Sequence, residues 1–342
     1  MKKLVSLVLA LILIATCALA LAEADKKVVG VCMIDFTNQF YVDMMEAGDV
    51  AAADYNVEVQ WKSADGSIET QIAQMENFIQ AGVDAIAVNP IDNDALINVC
   101  QEAADAGIPV VVMAGLVNHE HAVNTLYNDY MDTYVIAKLD AELIGGEGKV
   151  ALLYGNKGNI VSDYREAGFL DAMKEYPNIE VIEQPTDWDP ATGQQVMQDM
   201  LAANPDLKLM HCVSDAVTIG AQQAIIAAGK QDEILISSYD GNAEACDLVE
   251  NGEFICTLLT GSKRVGYWNI KIAAKMANGE HPGANILYLP SHFVMNDEMK
   301  AKFVEFGLDK SYEGLSILSP AEAKEMGNAY QADLGPTSGA EW

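Results

Sequence analysis

From Lys26 onward, short apolar runs rich in β-branched residues alternate with segments of helical spacing. The runs are VVGVCMI, VEVQW, DAIAV, IPVVVM, KVALLY, IEVIE, KLMHCV, ILISSY and FICTLL. Between them, 41–55, 69–80, 95–106 and 192–203 repeat apolar residues at helical intervals. A strand that is apolar on both faces is covered on both faces. Strands of that kind, separated by helices, form parallel βαβ units. Gly82, Gly107 and Gly229 stand where helices end in a left-handed residue, and Asn204-Pro205 stops another helix.

The alternation runs twice, over 26–113 and over 149–239. At 342 residues the chain is also long for a single core. The predicted fold class is α/β, with two Rossmann-like lobes, parallel sheets and a cleft between them. In open α/β sheets the binding crevice lies beyond the carboxyl ends of the strands. Strand-end residues are therefore the candidate site.

Residues 1–22 stand apart from this pattern. Lys2 and Lys3 precede an apolar run without an acid, and Ala20-Leu21-Ala22 before Glu23 has the small-x-small form of a cleavage site. A signal peptide is predicted, with the mature chain exported to the periplasm or cell envelope. A retained membrane anchor and lipid attachment at Cys17 are the alternatives. Thr16 departs from the Gly or Ala that usually precedes a lipidated cysteine.

Without Lys2 and Lys3 the chain has 18 Lys and Arg against 50 Asp and Glu, a net charge near −32. Such a surface repels nucleic acid and anionic lipid. Its partners are neutral, cationic, or carry a basic docking patch. Beyond residue 22 there are Cys32, Cys100, Cys212, Cys246 and Cys256, an odd set without CxxC and mostly in apolar runs. Cysteine in such runs behaves as a small buried hydrophobe, so no disulfide framework is predicted.

Signatures of catalysis are missing. Gly155-Asn156-Lys157-Gly158 is not GxGxxG, and no Walker loop or GxSxG occurs. His119-Glu120-His121 lacks helical spacing and a third ligand, and reads as a solvated loop. Asp187-Trp188-Asp189 opens like a calcium loop, but Gly193 comes one place late and Gln198 replaces the bidentate Glu. No Ser/His/Asp or Cys/His set follows from spacing. No catalytic residue, metal or cofactor is predicted.

The strand ends are more informative. The first runs into Asp35-Phe36-Thr37-Asn38-Gln39-Phe40-Tyr41, where Asn38 is a good N-cap and the aromatics are either core or cleft wall. The fourth ends at Met113-Ala114-Gly115. The fifth leads to Ser162-Asp163-Tyr164-Arg165 at a helix start, where Arg165 is either a surface ion-pair partner or a cleft donor. Trp188 follows, then Ser214-Asp215, Asp240-Gly241 and Thr260-Gly261. Polar or aromatic residues recur at nearly every strand end of the second half, as a lining does.

At these residues the chain resembles the periplasmic sugar-binding proteins of the ribose and galactose type, the substrate-binding components of ABC transporters. QAGVDAIAVNPIDNDAL with AADAGIPVVV, then YREAGFLDAM, WDPATGQQVMQDMLAANPDLK, SDAVTIGAQQAIIAAGK and SYDGNAEACDLVENGEF stand in the family's order over about 26–290. The resemblance implies the type I periplasmic binding protein fold, two lobes joined by three crossings near Asn128-Asp129, Thr260-Gly261 and Leu287-Pro290. Its lobes would be 26–127 plus 261–288, and 129–260 plus 289–330, with 331–342 a loose tail. Asn38, Phe40 and Tyr41 match the family's Asn-Pro-Phe-Phe turn, Arg165 an arginine that grips hydroxyls, Trp188 an aromatic that stacks on the sugar ring and Asp240 a cleft aspartate. Ser214 falls where an Asn is usual, and Asp35 near a polar position of the galactose branch. Asp189 beside Trp188 is a further candidate to reach the cleft.

Three anchors depart from the family. Ala114-Gly115 replaces Asp-Arg or Asn-Lys, Thr260 replaces Gln or Asn, and Ser214 is shorter than Asn. Ribose and glucose become less suitable than a larger or modified sugar, a polyol, a nucleoside, an autoinducer or another small polar guest. The resemblance implies an uncatalytic, monomeric binding protein that delivers its ligand to a membrane permease. The alternative is the same clamp presented to a chemoreceptor or sensor kinase. The segment 291–342 has no assigned role.

Overall fold

The computed structural model describes residues 26–331. The predicted signal peptide, Cys17 and all of the predicted tail but Gln331 lie outside the described residues. The first part of the chain runs β1 Lys27–Met33, α1 Gln39–Asp54, β2 Val57–Ser63, α2 Ile68–Ala81, β3 Ala85–Val88, α3 Ile97–Asp105, β4 Val110–Val112 and β5 Ala122–Leu126. The second runs α4 Asp129–Leu143, β6 Glu147–Tyr154, α5 Ile160–Met173, β7 Asn178–Pro185, α6 Pro190–Ala203, β8 Leu207–Cys212, α7 Asp215–Ala227, β9 Leu235–Ser237, α8 Ala243–Glu250 and β10 Thr257–Leu259. Then come α9 Ser262–Ala277, β11 Ile286–Tyr288, β12 His292–Val294, α10 Asp297–Glu305, β13 Ile317–Leu318 and α11 Pro320–Asn328.

A six-stranded parallel sheet has the order β11-β5-β4-β3-β1-β2, and a four-stranded parallel sheet has β7-β6-β8-β9. The third sheet, β10-β12-β13, joins the second through parallel bridges Ser237↔Cys256 and Asp240↔Leu259. The chain thus leaves the first sheet after β5, returns to it at β11, and leaves again at β12. This is the doubly wound α/β architecture expected from the alternation.

The apolar runs form strands because helices cover both of their faces. All of β3 and β4 is buried, as are most of β1 and β6. Met197 from α6, with Val217 and Ile225 from α7, seals one face of the second sheet at 0% exposure. Each such side chain contributes about 1.5–3 kcal/mol relative to exposure. Helix starts are set by side-chain caps at Asn38, Ser67, Asn159, Asp189 and Asn242, each accepting from a first-turn amide. Helices α4 and α5 meet closely at Gly168, where a Cβ would lie 2.2 Å from the Tyr130 carbonyl oxygen.

β5 is absent from the sequence expectation. Its AVNTL carries Asn124 and Thr125, which are nevertheless buried. Thr125 Oγ1 accepts from the Ala114 amide and donates to Asn269 Oδ1, both at 3.0 Å. Distant partners satisfy the polar groups, so local pattern does not reveal the strand. The unassigned segment from Ser291 builds β12, β13, α10 and α11. The five described cysteines are buried and free, and no described helix is long and apolar enough to cross a membrane.

Candidate ligand-binding site

The carboxyl ends of the two parallel sheets face one cavity of about 40 Å³. Ile34, Asn38, Phe40, Tyr41, Asn89 and Ala114 line it from the first sheet, and Tyr127 from the crossing after β5. Asn159, Val161, Arg165, Trp188, Ser214 and Asp240 line it from the second. Both sheets are therefore present in one wall, as a strand-end cleft requires.

Asn38 is nearly fully buried and performs two tasks. Its Oδ1 caps α1 by accepting from the Phe40 amide at 2.9 Å, and its Nδ2 donates to the Trp188 carbonyl at 2.9 Å. The second bond joins the two halves. Three more do so: Asn93 N donates to the Gly158 carbonyl at 3.1 Å, Ile160 N to Asn93 Oδ1 at 2.7 Å, and Asn159 Nδ2 to the Pro90 carbonyl at 2.7 Å.

Arg165 is 3% exposed, so it is a cleft residue and not a surface ion-pair partner. Its Nε donates to Asp129 Oδ1 at 2.8 Å, and its Nη1 to the Val213 carbonyl at 2.7 Å and Asp240 Oδ1 at 3.1 Å. The guanidinium also stacks on the Tyr239 ring, 3.6 Å from its centroid. Burial opposes its charge, but Asp129, Tyr239 and Asp240 outweigh burial and hold its pKa above the ordinary arginine value. Most of the guanidinium fork is committed within the protein, and Nη2 carries the remaining donors.

Asp240 has φ +123°, a strained conformation for a residue with a side chain. Burial raises its carboxyl to about 6, against the pull of Arg165 and Ser214. Its neighbour Asp215 is raised by burial and by the Asp240 charge. Asp215 accepts from Ser238, Thr257 and the Asn242 amide, and so ties the strand ends behind the cavity.

A second layer links the site to the C-terminal segment. The Tyr239 hydroxyl donates to Asp129 Oδ1 at 3.2 Å and Asp132 Oδ2 at 3.4 Å. Ser291 donates to Asp132 at 2.6 Å, and Tyr312 donates to its other oxygen. Burial raises Asp132 to about 6, with these donors opposing. The segment from Ser291 thus braces the groups that hold Arg165.

Trp188 lines the cavity but is only 6% exposed, so its indole is enclosed and not an open platform. Asp187 and Trp188 both have positive φ, +51° and +60°, at an order of 1–3 kcal/mol each. That turn lays the indole against Gly155, where a Cβ would come within 2.2 Å of Cε2. Asp189 does not line the cavity, because its Oδ2 caps α6 by accepting from the Thr192 amide and hydroxyl at 2.7 Å.

Eight of the ten sequence-named positions line the cavity. The structure leaves out Asp35 and Thr260. Asp35 Oδ1 is occupied by Thr37 and the Asn38 amide. Thr260 is buried behind Tyr127, whose hydroxyl donates to its carbonyl at 3.2 Å. Sequence reasoning missed Ile34, Asn89, Tyr127, Asn159 and Val161. Asn89, just past VDAIAV, and Asn159, before a helix, obeyed the same strand-end rule.

Ser237, His211 and Asp140 also come together, a set that spacing did not reveal. Ser237 Oγ donates to Asp140 Oδ2 at 2.6 Å and lies 2.8 Å from His211 Nδ1. Burial lowers His211 to about 3 and raises Asp140 to about 8. All three are 0% exposed or buried behind the sheet, with Phe169 stacked on His211 at 4.7 Å. Ser237 is 0% exposed, so no solvent-borne substrate touches its hydroxyl in this structure. His119 is half-buried and His121 exposed, and no three metal-binding side chains converge among the described residues.

Residues 29–281 match a family model described as the periplasmic binding protein domain. The chain is 27% identical over 320 residues to a xylitol-binding protein of Mycolicibacterium smegmatis, covering 92% of this chain and 91% of that protein. It is 28% identical over 287 residues to a ribose import binding protein of Salmonella typhimurium, covering 82% and 94%. A solved ABC transporter periplasmic solute-binding protein from Actinobacillus succinogenes, with bound D-allose, aligns at TM-score 0.72 and 27% identity, covering 81% of this chain and all of that one.

Proposed function

This chain belongs to the periplasmic binding protein domain family, and from that premise we propose that it captures an uncharged sugar or sugar-like solute in the cleft and delivers it to an ABC transporter. Members of the family are binding proteins, and this chain returns its guest unchanged. The first lobe comprises 26–127 with 261–288, and the second 129–260 with 289–330. This division is supported by the return of β11 to the first sheet and the pairing of β12 with β10.

Asn38, Phe40, Tyr41, Ala114, Arg165, Trp188, Ser214 and Asp240 contact the guest in this reading. The chain works as an exported monomer with a membrane permease as its partner. The supporting observation is the single cavity lined from the carboxyl ends of both parallel sheets. Closure over a guest that touches both walls is favoured by the contacts it makes to each.

A thermal-shift screen over aldoses, polyols and nucleosides tests the proposal. A ligand at 100 times its Kd should stabilise the fold by about 2.7 kcal/mol. Absence of any shift across the panel at millimolar concentrations would refute it.

A further inference from the structure

The C-terminal segment has one foot on each proposed lobe. Helix α11 stands on the second. Its start is fixed by Ser319 and Glu322, each side chain accepting from the other's backbone amide. Ala323 is fully buried and joins Cys246, Leu259 and Val294 in one apolar cluster, with Met326 packed against it. The Lys324 ammonium pairs with Asp247 of α8.

Two positions past the end of α11, the chain stands on the first lobe. Tyr330 is half-buried against α9. Its ring meets the Tyr267 ring edge-on, with centroids 5.7 Å apart, and its carbonyl accepts from Trp268 Nε1 at 3.1 Å. The receiving surface is itself held in place. The Tyr267 hydroxyl donates to Asp54 Oδ2 at 2.9 Å, and Lys271 Nζ lies 3.8 Å from the Trp268 ring centroid. Trp268 is about two helical turns beyond the proposed crossing at Gly261, so the contact lies on the flank of the hinge.

The two feet differ in strength. The first is a buried apolar cluster with an ion pair, and the second is one neutral hydrogen bond and one aromatic edge. The chain between them has little slack: from Asn328 to Tyr330 it spans at most about 7 Å. A lobe rotation that carries α9 further than this from α11 must break the Tyr330 contacts. Those contacts are made here together with the bonds that cross the cleft, such as Asn38 to Trp188 and Asn93 to Gly158. Resting on the two-lobed clamp proposed above, we infer that residues 319–331 form a strap across the flank of the hinge. Tyr330 is its releasable foot, docked when the cleft is shut and freed as it opens, so that its contacts favour the closed arrangement. The family match ends at residue 281, and the strap lies beyond it, as this chain's own control on closure.

The test compares the full chain with Tyr330→Ala, which removes the ring, and Trp268→Phe, which removes the N–H that bonds the Tyr330 carbonyl. Hydrogen exchange read by mass spectrometry follows peptides holding Asn93 and Ile160, whose amides donate across the cleft. In Tyr330→Ala they should exchange about 10-fold faster, equivalent to about 1.4 kcal/mol. Peptides holding Val111 and Ala151, buried in the two parallel sheets, should keep wild-type rates. Unchanged exchange across the cleft overturns the inference, and so does equal acceleration everywhere, which marks general loosening. Should Tyr330→Ala fold poorly, Trp268→Phe decides, with about 3-fold faster exchange expected at the same peptides and a wild-type rate overturning the strap. Calorimetry with the tightest binder among D-ribose, xylitol and myo-inositol adds a second reading. Affinity should fall about 10-fold in Tyr330→Ala, and equal or tighter binding overturns the strap while leaving the binding function intact. A wild-type protein that binds none of the three counts against the functional proposal, and the exchange rates then decide the strap alone.

Discussion

Arg165→Ala tests whether the site network is as tightly closed as the structure shows. The variant removes the cation between Asp129 and Asp240, which are 1% and 6% exposed. Removing one partner of a buried ion pair costs about 3–5 kcal/mol, because the remaining charge stays desolvated. Loss of the Tyr239 stack adds to this. The orphaned carboxylates can escape part of the penalty by taking up protons. Asp240 already sits near 6 with the arginine present, since burial raises it. Without Arg165 its folded pKa rises further above the unfolded value. A carboxyl raised in this way loses stability as pH climbs from the unfolded pKa to the folded one. The penalty should therefore be larger at pH 8 than at pH 5. Urea unfolding followed by far-UV circular dichroism at both pH values measures it. About 3–5 kcal/mol is expected at pH 8, and Asp129→Asn should restore part of it. The structure makes Arg165→Ala a stability variant as well as a binding variant. A loss below about 1 kcal/mol at pH 8, or no rescue by Asp129→Asn, would show that the guanidinium is solvated.

Asn93→Ala removes the acceptor for the Ile160 amide across the cleft. It should weaken the best ligand about 3- to 10-fold, mainly through faster release in stopped-flow traces; an unchanged release rate counts against a closing role. Asp140 is raised by burial to about 8. Between roughly pH 4 and 8 the folded chain keeps a proton that the unfolded chain has lost, so stability falls as pH rises. Asp140→Asn should flatten the dependence of the urea midpoint over that window, and an undiminished slope would contradict the assignment. Part of the slope should persist, because Asp215 is raised in the same direction.

The fold was legible where burial is symmetric. Strands β1, β3, β4, β6 and β8 announce themselves because both faces are apolar, and the helices between them because their caps are local. β5 was hidden because Asn124 and Thr125 owe their burial to partners such as Asn269, 144 residues from Thr125. β11 and β12 have three residues each, and β13 has two, too few for a periodicity. At the site, strand-end position and resemblance identified Asn38, Arg165, Trp188, Ser214 and Asp240. The partnership of Arg165 with Asp129 was not legible. Those residues are 36 apart, on different helices, and meet only when α4 packs on α5. Nor could the sequence distinguish an exposed Trp188 from one closed over by Asn38.

In the proposed clamp, the placement of charge would let the two sides close and still let go. Both ion pairs of Arg165, to Asp129 and to Asp240, lie within the proposed second lobe. Closure neither makes nor breaks them. The four bonds that cross between Asn38 and Trp188, Asn93 and Gly158, Ile160 and Asn93, and Asn159 and Pro90 all join neutral groups. Each exchanges with water at a net gain of about 0.5–1.5 kcal/mol, or about 2–6 kcal/mol together. The entropy of ordering the hinge opposes that sum. Shifting a population from 1:99 to 99:1 takes about 5.5 kcal/mol of differential affinity. A guest touching both lobes supplies energy on that scale, so its arrival and departure can decide the state. An interlobe salt bridge would have placed the desolvation of two charges inside the closing step, making closure sensitive to salt and pH. Keeping both Arg165 ion pairs on one side of the cleft leaves these four contacts across it to neutral groups.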